Sequence, residues 1–324
     1  MAALPERPQT RRDWQLVELR RVSAEQLSPV LDEEIALWRG GLDWDFRASA
    51  DLVRKFVQMQ ALAGFALMRG NRAIGYCYYV CEDGKGLIGD LCVMAAHRTE
   101  ENENVLLEAA LNAMFGTLGI KRVEGQIMMI SSPLQRSIPL APWFRRHPRY
   151  FMQVPLGRPV VRLPERLAPG VSLIPWSELR QEDTARLIVA AYHGHVDSQI
   201  NDQYRSPSGA RRFLMNIVQY PGCGTFFGPA SWAAIAGGEL AGVSLASLVA
   251  PDVGHITQVC VSPAARGTGL GYELVRQSLM SLAVRGCQSV SLTVTQSNQT
   301  AVRLYERMGF TIRRNFAAYI WEPK

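Results

Sequence analysis

The 324-residue chain has no stretch of about eighteen uninterrupted apolar residues, so no membrane-crossing helix and no membrane partner is expected. Met1 to Pro8 lack the basic start and apolar centre of a secretory signal, which points to the cytoplasm. The six cysteines, at 77, 81, 92, 223, 260 and 287, form no Cys-x-x-Cys pair and mostly stand in strand-like apolar surroundings; reduced, buried thiols are the expectation. No His-x-x-x-His pair or cysteine cluster accompanies His193, His195 and Asp197, so no metal is expected there. Short-period repeats and low-complexity tracts are also missing. The hydrophobic content of 48% and charged content of 20% suit a globular protein.

The net charge of +6 raises the question of nucleic acid, because Arg136, Arg145, Arg146, His147 and Arg149 fall close together. These residues alternate with prolines and aromatics and carry no nucleic-acid motif. A solvated basic face or a homodimer contact accounts for them, and nucleic acid is not an expected partner.

What is present is a glycine-rich turn between an apolar run and a helix: Val259-Cys260-Val261-Ser262-Pro263-Ala264-Ala265-Arg266-Gly267-Thr268-Gly269-Leu270-Gly271. Without a Cβ at 267, 269 and 271 the backbone can turn tightly and approach an anion. The opening helix aims unpaired N–H groups and its positive dipole end at that anion, and Arg266 adds charge at the rim. A dinucleotide fold would place a carboxylate about twenty residues further on, but that window reads Arg285-Gly286-Cys287-Gln288. A triphosphate loop would end in Lys and a hydroxyl, where this chain has Leu270-Gly271-Tyr272.

Leu274, Val275, Leu279, Leu282 and Ala283 give one apolar helical face that Gly286 closes. Ser289 to Thr295 alternates with period two as a strand. Asn298 is an N-cap for a helix through Ala301, Leu304, Tyr305 and Met308, closed by Gly309, and Phe310-Thr311-Ile312 and Phe316 to Trp321 end the chain as strands. Arg266-x-x-Gly269-x-Gly271 followed by Asn298-x-x-Ala301-x-x-Leu304-Tyr305-x-x-x-Gly309-Phe310 resembles the GCN5-related N-acetyltransferase (GNAT) superfamily.

That resemblance covers residues 171 to 324 and implies a domain that binds acetyl-CoA as cosubstrate, with no metal. The amides of Gly267, Thr268, Gly269, Leu270 and Gly271 would hold the diphosphate, with Arg266 and Asn298 in the same two motifs. The backbone of Val259, Cys260 and Val261 would pair with the pantetheine arm, and the Val259 amide would face the oxyanion. The implied reaction is direct attack by an amine, with a small-molecule acceptor expected. Tyr305 is the candidate acid, since a phenol stays protonated at neutral pH. His255 is the candidate base, at a position where the family often has Glu; by period two it points to the same side as Thr257 and Val259. Glu239, at a Gly237-Gly238 hairpin turn, is the fallback. Tyr192 to Asp197, with Asp202 and Tyr204, would contact the acceptor or cap a loop. A non-catalytic acyl-CoA sensor is the alternative reading.

The first half repeats the second in degenerate form. Gly89 to Arg98 lies over Thr257 to Arg266 at an offset of 168 (266 minus 98), with Cys, Val, Ala and Arg coinciding. The positions of Gly267 to Gly271 are then held by Thr99, Glu100, Glu101, Asn102 and Glu103, whose carboxylates would repel a diphosphate. Trp143-Phe144 echoes Leu304-Tyr305 with Phe144 in place of the acid. The expectation is an α/β fold of the α+β type, two GNAT-like domains each with a mixed, mostly antiparallel central sheet flanked by helices. The degenerate domain spans 1–163 and the cofactor-binding domain 171–324, joined by the proline-containing linker Leu163 to Gly170.

Overall fold

The computed structural model describes residues 13–157, 163–220, 222 and 224–323. The start of the chain read for a signal, and Cys223, lie outside the described residues. The N-terminal half supplies β1 (Gln15–Glu18), α1 (Ala24–Leu42), α2 (Arg47–Gln58), β2 (Ala63–Arg69), β3 (Arg72–Glu82), β4 (Lys85–Val93), α3 (Glu100–Phe115), β5 (Arg122–Gln126) and β6 (Phe144–Pro155). The C-terminal half supplies β7 (Val171–Pro175), α4 (Gln181–Tyr192), the single turn α5 (Asp197–Ile200), α6 (Pro207–Gln219), β8 (Thr225–Phe226), β9 (Trp232–Ala236), β10 (Glu239–Ala250), β11 (Val253–Val261), α7 (Leu270–Arg285), β12 (Ser289–Thr295), α8 (Gln299–Arg307) and β13 (Thr311–Trp321). Among the described residues no helix is long and apolar enough to cross a membrane.

The helix boundaries follow local chemistry. Ser23 and Gln26 form a capping box that starts α1, Asn298 accepts the Ala301 amide to start α8, and Gly286 ends α7 in the left-handed region at φ 96°. Leu274, Val275, Leu279 and Leu282 of α7 are all fully buried, as their spacing predicts.

The strands form one continuous sheet in the order β1-β2-β3-β4-β5-β13-β6-β12-β11-β10-β9-β7, with β8 on β10. All pairings between these strands are antiparallel except β4 with β5 and β11 with β12. The two last strands are exchanged between the halves. β13 lies between β5 and β6, and β6 pairs with β12, so each half's sheet is completed by a strand from the other half. Hydrophobic pairing explains the exchange: Ala317, Tyr319 and Trp321 of β13 are buried in the N-terminal core, and Met152 and Val154 of β6 in the C-terminal one. The end of the chain is one strand rather than the two read from the sequence; a register shift between Ile312 and Arg314 absorbs the break in alternation.

Candidate functional site

β11 ends in a short 3-10 turn, Pro263–Ala265, and the chain then reverses through Gly267 at φ 79° and Gly269 at φ 87° into α7. An L side chain at either position would be strained by about 1–2 kcal/mol, which explains the two glycines by conformation alone. Gly271 differs, because it sits inside the helix without positive φ. A Cβ there would find only ordinary contacts, 3.6 Å from Val261 Cγ2 and 3.8 Å from Leu304 Cδ2. Neither strain nor packing demands glycine at 271; its missing side chain leaves room between β11 and α8. The amides of Gly267, Thr268, Gly269, Leu270 and Gly271 donate to no described residue, and Gly269 caps α7 without a side-chain acceptor. Together they form an anion cradle at a helix N-terminus. Arg266 is turned away from it: its Nη2 donates to Ala191 O at 2.6 Å, at the C-terminal end of α4.

Beside the cradle the sheet opens. β11 and β12 pair in parallel only from Val253 with Ser289 to Ile256 with Leu292, while β11 continues on β10 to Val261 and β12 on β6 to Thr295. The free edges of Val259, Cys260 and Val261 therefore face a wedge between the strands. The Val259 carbonyl accepts a hydrogen bond from Tyr192 Oη at 3.2 Å. Cys260 packs among Leu187, Ile188 and Leu214 under α4 and α6, and burial pushes its thiol up to about 12.

A bulge corrects the sequence-based facing of His255. Leu245 pairs with Gln258 and Ala246 with Ile256, leaving Thr257 as the extra residue. His255 and Val259 consequently point to opposite faces. Val259 joins the cluster of Tyr272, Val302 and Tyr305 on the α7/α8 face. His255 lies on the other face, 4% exposed, with its ring 5.1 Å from Trp44 and 6.3 Å from Phe151. Ser291 Oγ stands 2.9 Å from His255 Nδ1 and directs its own hydroxyl to Gly254 O. With the proton on Nδ1 the lone pair is on Nε2, which has no partner among the described residues; the direction of the Ser291 contact depends on that tautomer. Burial lowers the imidazole pKa to about 4. Glu239 is exposed at the outer hairpin that joins β9 and β10.

Tyr305 is on α8, 9% exposed, and its hydroxyl makes no hydrogen bond with a described residue. Burial and the Asp197 carboxylate push it up to about 12. Asn298 is occupied as the N-cap of the same helix. Asp197 accepts from Thr295 Oγ1 at the open end of β12 and lies 3.9 Å from Arg149 Nη1. Tyr192 and Tyr204 stack at 4.5 Å, and Gln258 joins them by hydrogen bonds of 3.1 and 3.3 Å. His195 Nδ1 accepts the Asp197 amide at 3.1 Å, so in the neutral ring its proton is on Nε2. His193 is exposed. Among the described residues no group of three His, Cys, Asp or Glu side chains converges.

Sequence reasoning did not connect Trp44, Gln258, Ser291 and Thr295 with the site, and read Arg149 only as part of a basic cluster. The strand-end pattern Ser291, Thr293, Thr295 was visible, but Trp44 and Arg149 come from the first half and only the exchanged sheet brings them here.

The corresponding corner of the first half is filled. Thr99 caps α3, and Glu103, at the Gly271 position, is 1% exposed. Its carboxylate accepts from Arg136 Nη1 at 2.5 Å and from the Ser131 amide at 3.0 Å, while Arg136 Nη2 donates to Glu100 O at 3.0 Å. Glu103 thus points inward to a cation, not outward as its charge suggested, because a buried carboxylate requires a partner. The echo of Leu304-Tyr305 at Trp143-Phe144 does not hold in three dimensions: Phe144 begins β6 and packs on Tyr319 and Trp321.

Residues 198–310 match the acetyltransferase (GNAT) family. Over 96% of its length the chain is similar to a tandem GNAT protein from the clavulanic acid biosynthesis pathway, covering 99% of that protein with TM-score 0.61 and 16% identity. It is equally extensively similar to a GCN5-related N-acetyltransferase from Sphaerobacter thermophilus, with 96% of each chain covered, TM-score 0.66 and 15% identity. The fold is a tandem GNAT fold. Mycothiol acetyltransferases share shorter stretches: that of Mycobacteroides abscessus is 45% identical over 69 residues, 21% of this chain and 23% of the relative. That of Corynebacterium glutamicum is 36% identical over 83 residues, 26% of this chain and 28% of the relative. The matches thus span about a quarter of those relatives' length. The GNAT region matched contains the cradle, the splayed β11 and Tyr305.

Proposed function

We propose that the C-terminal half of this tandem GNAT protein transfers the acetyl group of acetyl-CoA to the amine of a small-molecule acceptor by direct attack. One observation supports the reading: the free amides of Gly267 to Gly271 lie at the N-terminus of α7 beside the wedge that opens between β11 and β12 beyond Ile256, with the unbonded Tyr305 hydroxyl on the α7/α8 face. A thioester laid in that wedge would have Tyr305 as its proton donor, and His255, on the opposite face of β11 just before the strands part, is the candidate acceptor. Acetyl-CoA supplies the activated acyl group. The amine nitrogen attacks its carbonyl carbon, the C–N bond forms as the C–S bond breaks, the amine proton passes to His255 Nε2, and the departing sulfur takes the Tyr305 proton. His255, lowered to about 4, is neutral at pH 7, and Tyr305, raised to about 12, is protonated there.

The name of the mycothiol acetyltransferases, which share stretches with this chain, supports an acetyl group as the one transferred. Trp44 and Arg149 bring the first half against the acceptor face, which favours a small molecule over a protein segment. The Glu103–Arg136 pair supports a single cofactor site, in the half that follows the linker, with residues 1–163 in a supporting role.

The test is a thiol-release assay with acetyl-CoA and a panel of amines. Amine-dependent release is expected in the parent, falling about a hundredfold in Tyr305→Phe, the scale of one general-acid group. Release that is equal in both proteins, or absent with every amine, would contradict the reading and favour a cofactor-binding module without catalysis.

A further inference from the structure

The cation expected at the cradle, Arg266, is bonded to the end of α4, yet the linker brings another arginine to the same corner. Tyr272 Oη donates to Pro164 O at 2.9 Å, the Arg166 amide donates to Glu273 Oε2 at 2.9 Å, and Glu165 pairs with Arg276 at 3.4 Å. These bonds strap residues 164–166 against the first turn of α7. The Arg166 carbonyl oxygen is 3.8 Å from the place a Cβ on Gly269 would take. Its guanidinium lies 4.8 Å from the centre of the Tyr272 ring, one residue beyond Gly271. Arg166 is exposed and makes no ion pair among the described residues. The neighbouring carboxylates both pair with Arg276: the adjacent Glu165 at 3.4 Å and Glu273, 1% exposed, at 2.7 Å. An anchored backbone thus presents a planar donor, without a direct ion pair among the described residues, beside a row of free amides.

We propose that Arg166 binds a phosphate group of coenzyme A. The assignment rests on the acetyltransferase reading, and it gives the linker between the halves a part in holding the cofactor. The cofactor offers two sources of this chemistry, the diphosphate and the ribose 3′-phosphate, and 3′-dephospho-CoA separates them.

The experiment is calorimetric titration of the full chain with CoA and with 3′-dephospho-CoA, for the parent, Arg166→Met and Arg166→Lys. Methionine keeps the packing on Tyr272 and removes the charge. At low salt Arg166→Met is expected to bind CoA about tenfold more weakly than the parent, with Arg166→Lys between them. The difference should narrow at about 0.5 M salt, because the contact is exposed and is screened. Loss of the difference with 3′-dephospho-CoA assigns the contact to the 3′-phosphate; its persistence assigns it to the diphosphate. Equal affinity of Arg166→Met and parent for CoA, or a difference unmoved by salt, would overturn the proposal. A parent that binds no CoA at all would instead overturn the acetyltransferase reading.

Discussion

A single inserted residue, Thr257, decides the facing of the candidate base. Strict alternation from Val259 puts His255 beside it, and no composition rule marks the bulge in advance; it becomes visible only when Leu245 and Ala246 take Gln258 and Ile256 as partners. The glycines were legible as a turn, but the reason for Gly271 was not, since absence of strain can be seen only in the folded backbone. Burial of His255 also has a consequence for stability. Its pKa is about 4 in the folded chain against about 6.5 when unfolded, so between these values the unfolded state binds more protons. Stability is therefore unaffected by this group above about pH 6.5 and falls as pH drops toward 4, by about 3 kcal/mol in all, levelling off below. Denaturant titrations of parent and His255→Asn from pH 8 to 4 should differ by that slope, and parallel curves would contradict the assigned burial.

At the scale of elements, the helices α7 and α8 and the strand between them were readable because their periodicity, Asn298 cap and Gly286 stop all agree. The segment 197–205 was not, because it is held by residues remote in sequence. Arg122, 6% exposed, bonds the carbonyls of Gln199 and Ile200 at 2.5 and 3.3 Å and Glu124 at 2.6 Å, and Lys85 pairs with Asp202 at 2.5 Å. These buried charges of the first half tie down α5 and the turn to Tyr204, which carry Asp197 and one ring of the stacked Tyr192–Tyr204 pair. Arg122→Leu leaves Glu124 with Lys85 alone, at 3.4 Å, and the Gln199 and Ile200 carbonyls without their donor, and should cost about 2 kcal/mol. Amide exchange should accelerate first across 197–205; unchanged protection there would contradict the role of this network.

For the whole molecule, the duplication was legible from Cys-Val-x-x-Ala-x-Arg at a constant offset, but the exchange of β6 and β13 was not. Each strand has an apolar pattern that either half could accept, and which partner it takes depends on long-range geometry. The consequence is that neither half has a complete sheet of its own. Removal of residues 310–324 should unfold the N-terminal half, whose core contains Ala317, Tyr319 and Trp321, although every residue of that half remains. Hydrogen exchange resolved by segment tests this: retained protection of β4 and β5 in the truncated chain would show that the exchanged strand is dispensable. The same architecture places the buried Glu103–Arg136 pair in one half while Trp44 and Arg149 of that half reach into the other.

The central claim is that the room left by Gly271 and the free amides around it hold coenzyme A in one half only. Calorimetric titration of the parent and Gly271→Val with CoA tests it most directly. A Cβ at 271 meets only ordinary contacts and valine's helix propensity is no worse than glycine's, so the variant is expected to fold, which its thermal melt checks. The account predicts one site per chain in the parent and none in folded Gly271→Val; two sites in the parent, or unchanged affinity in the variant, would contradict it.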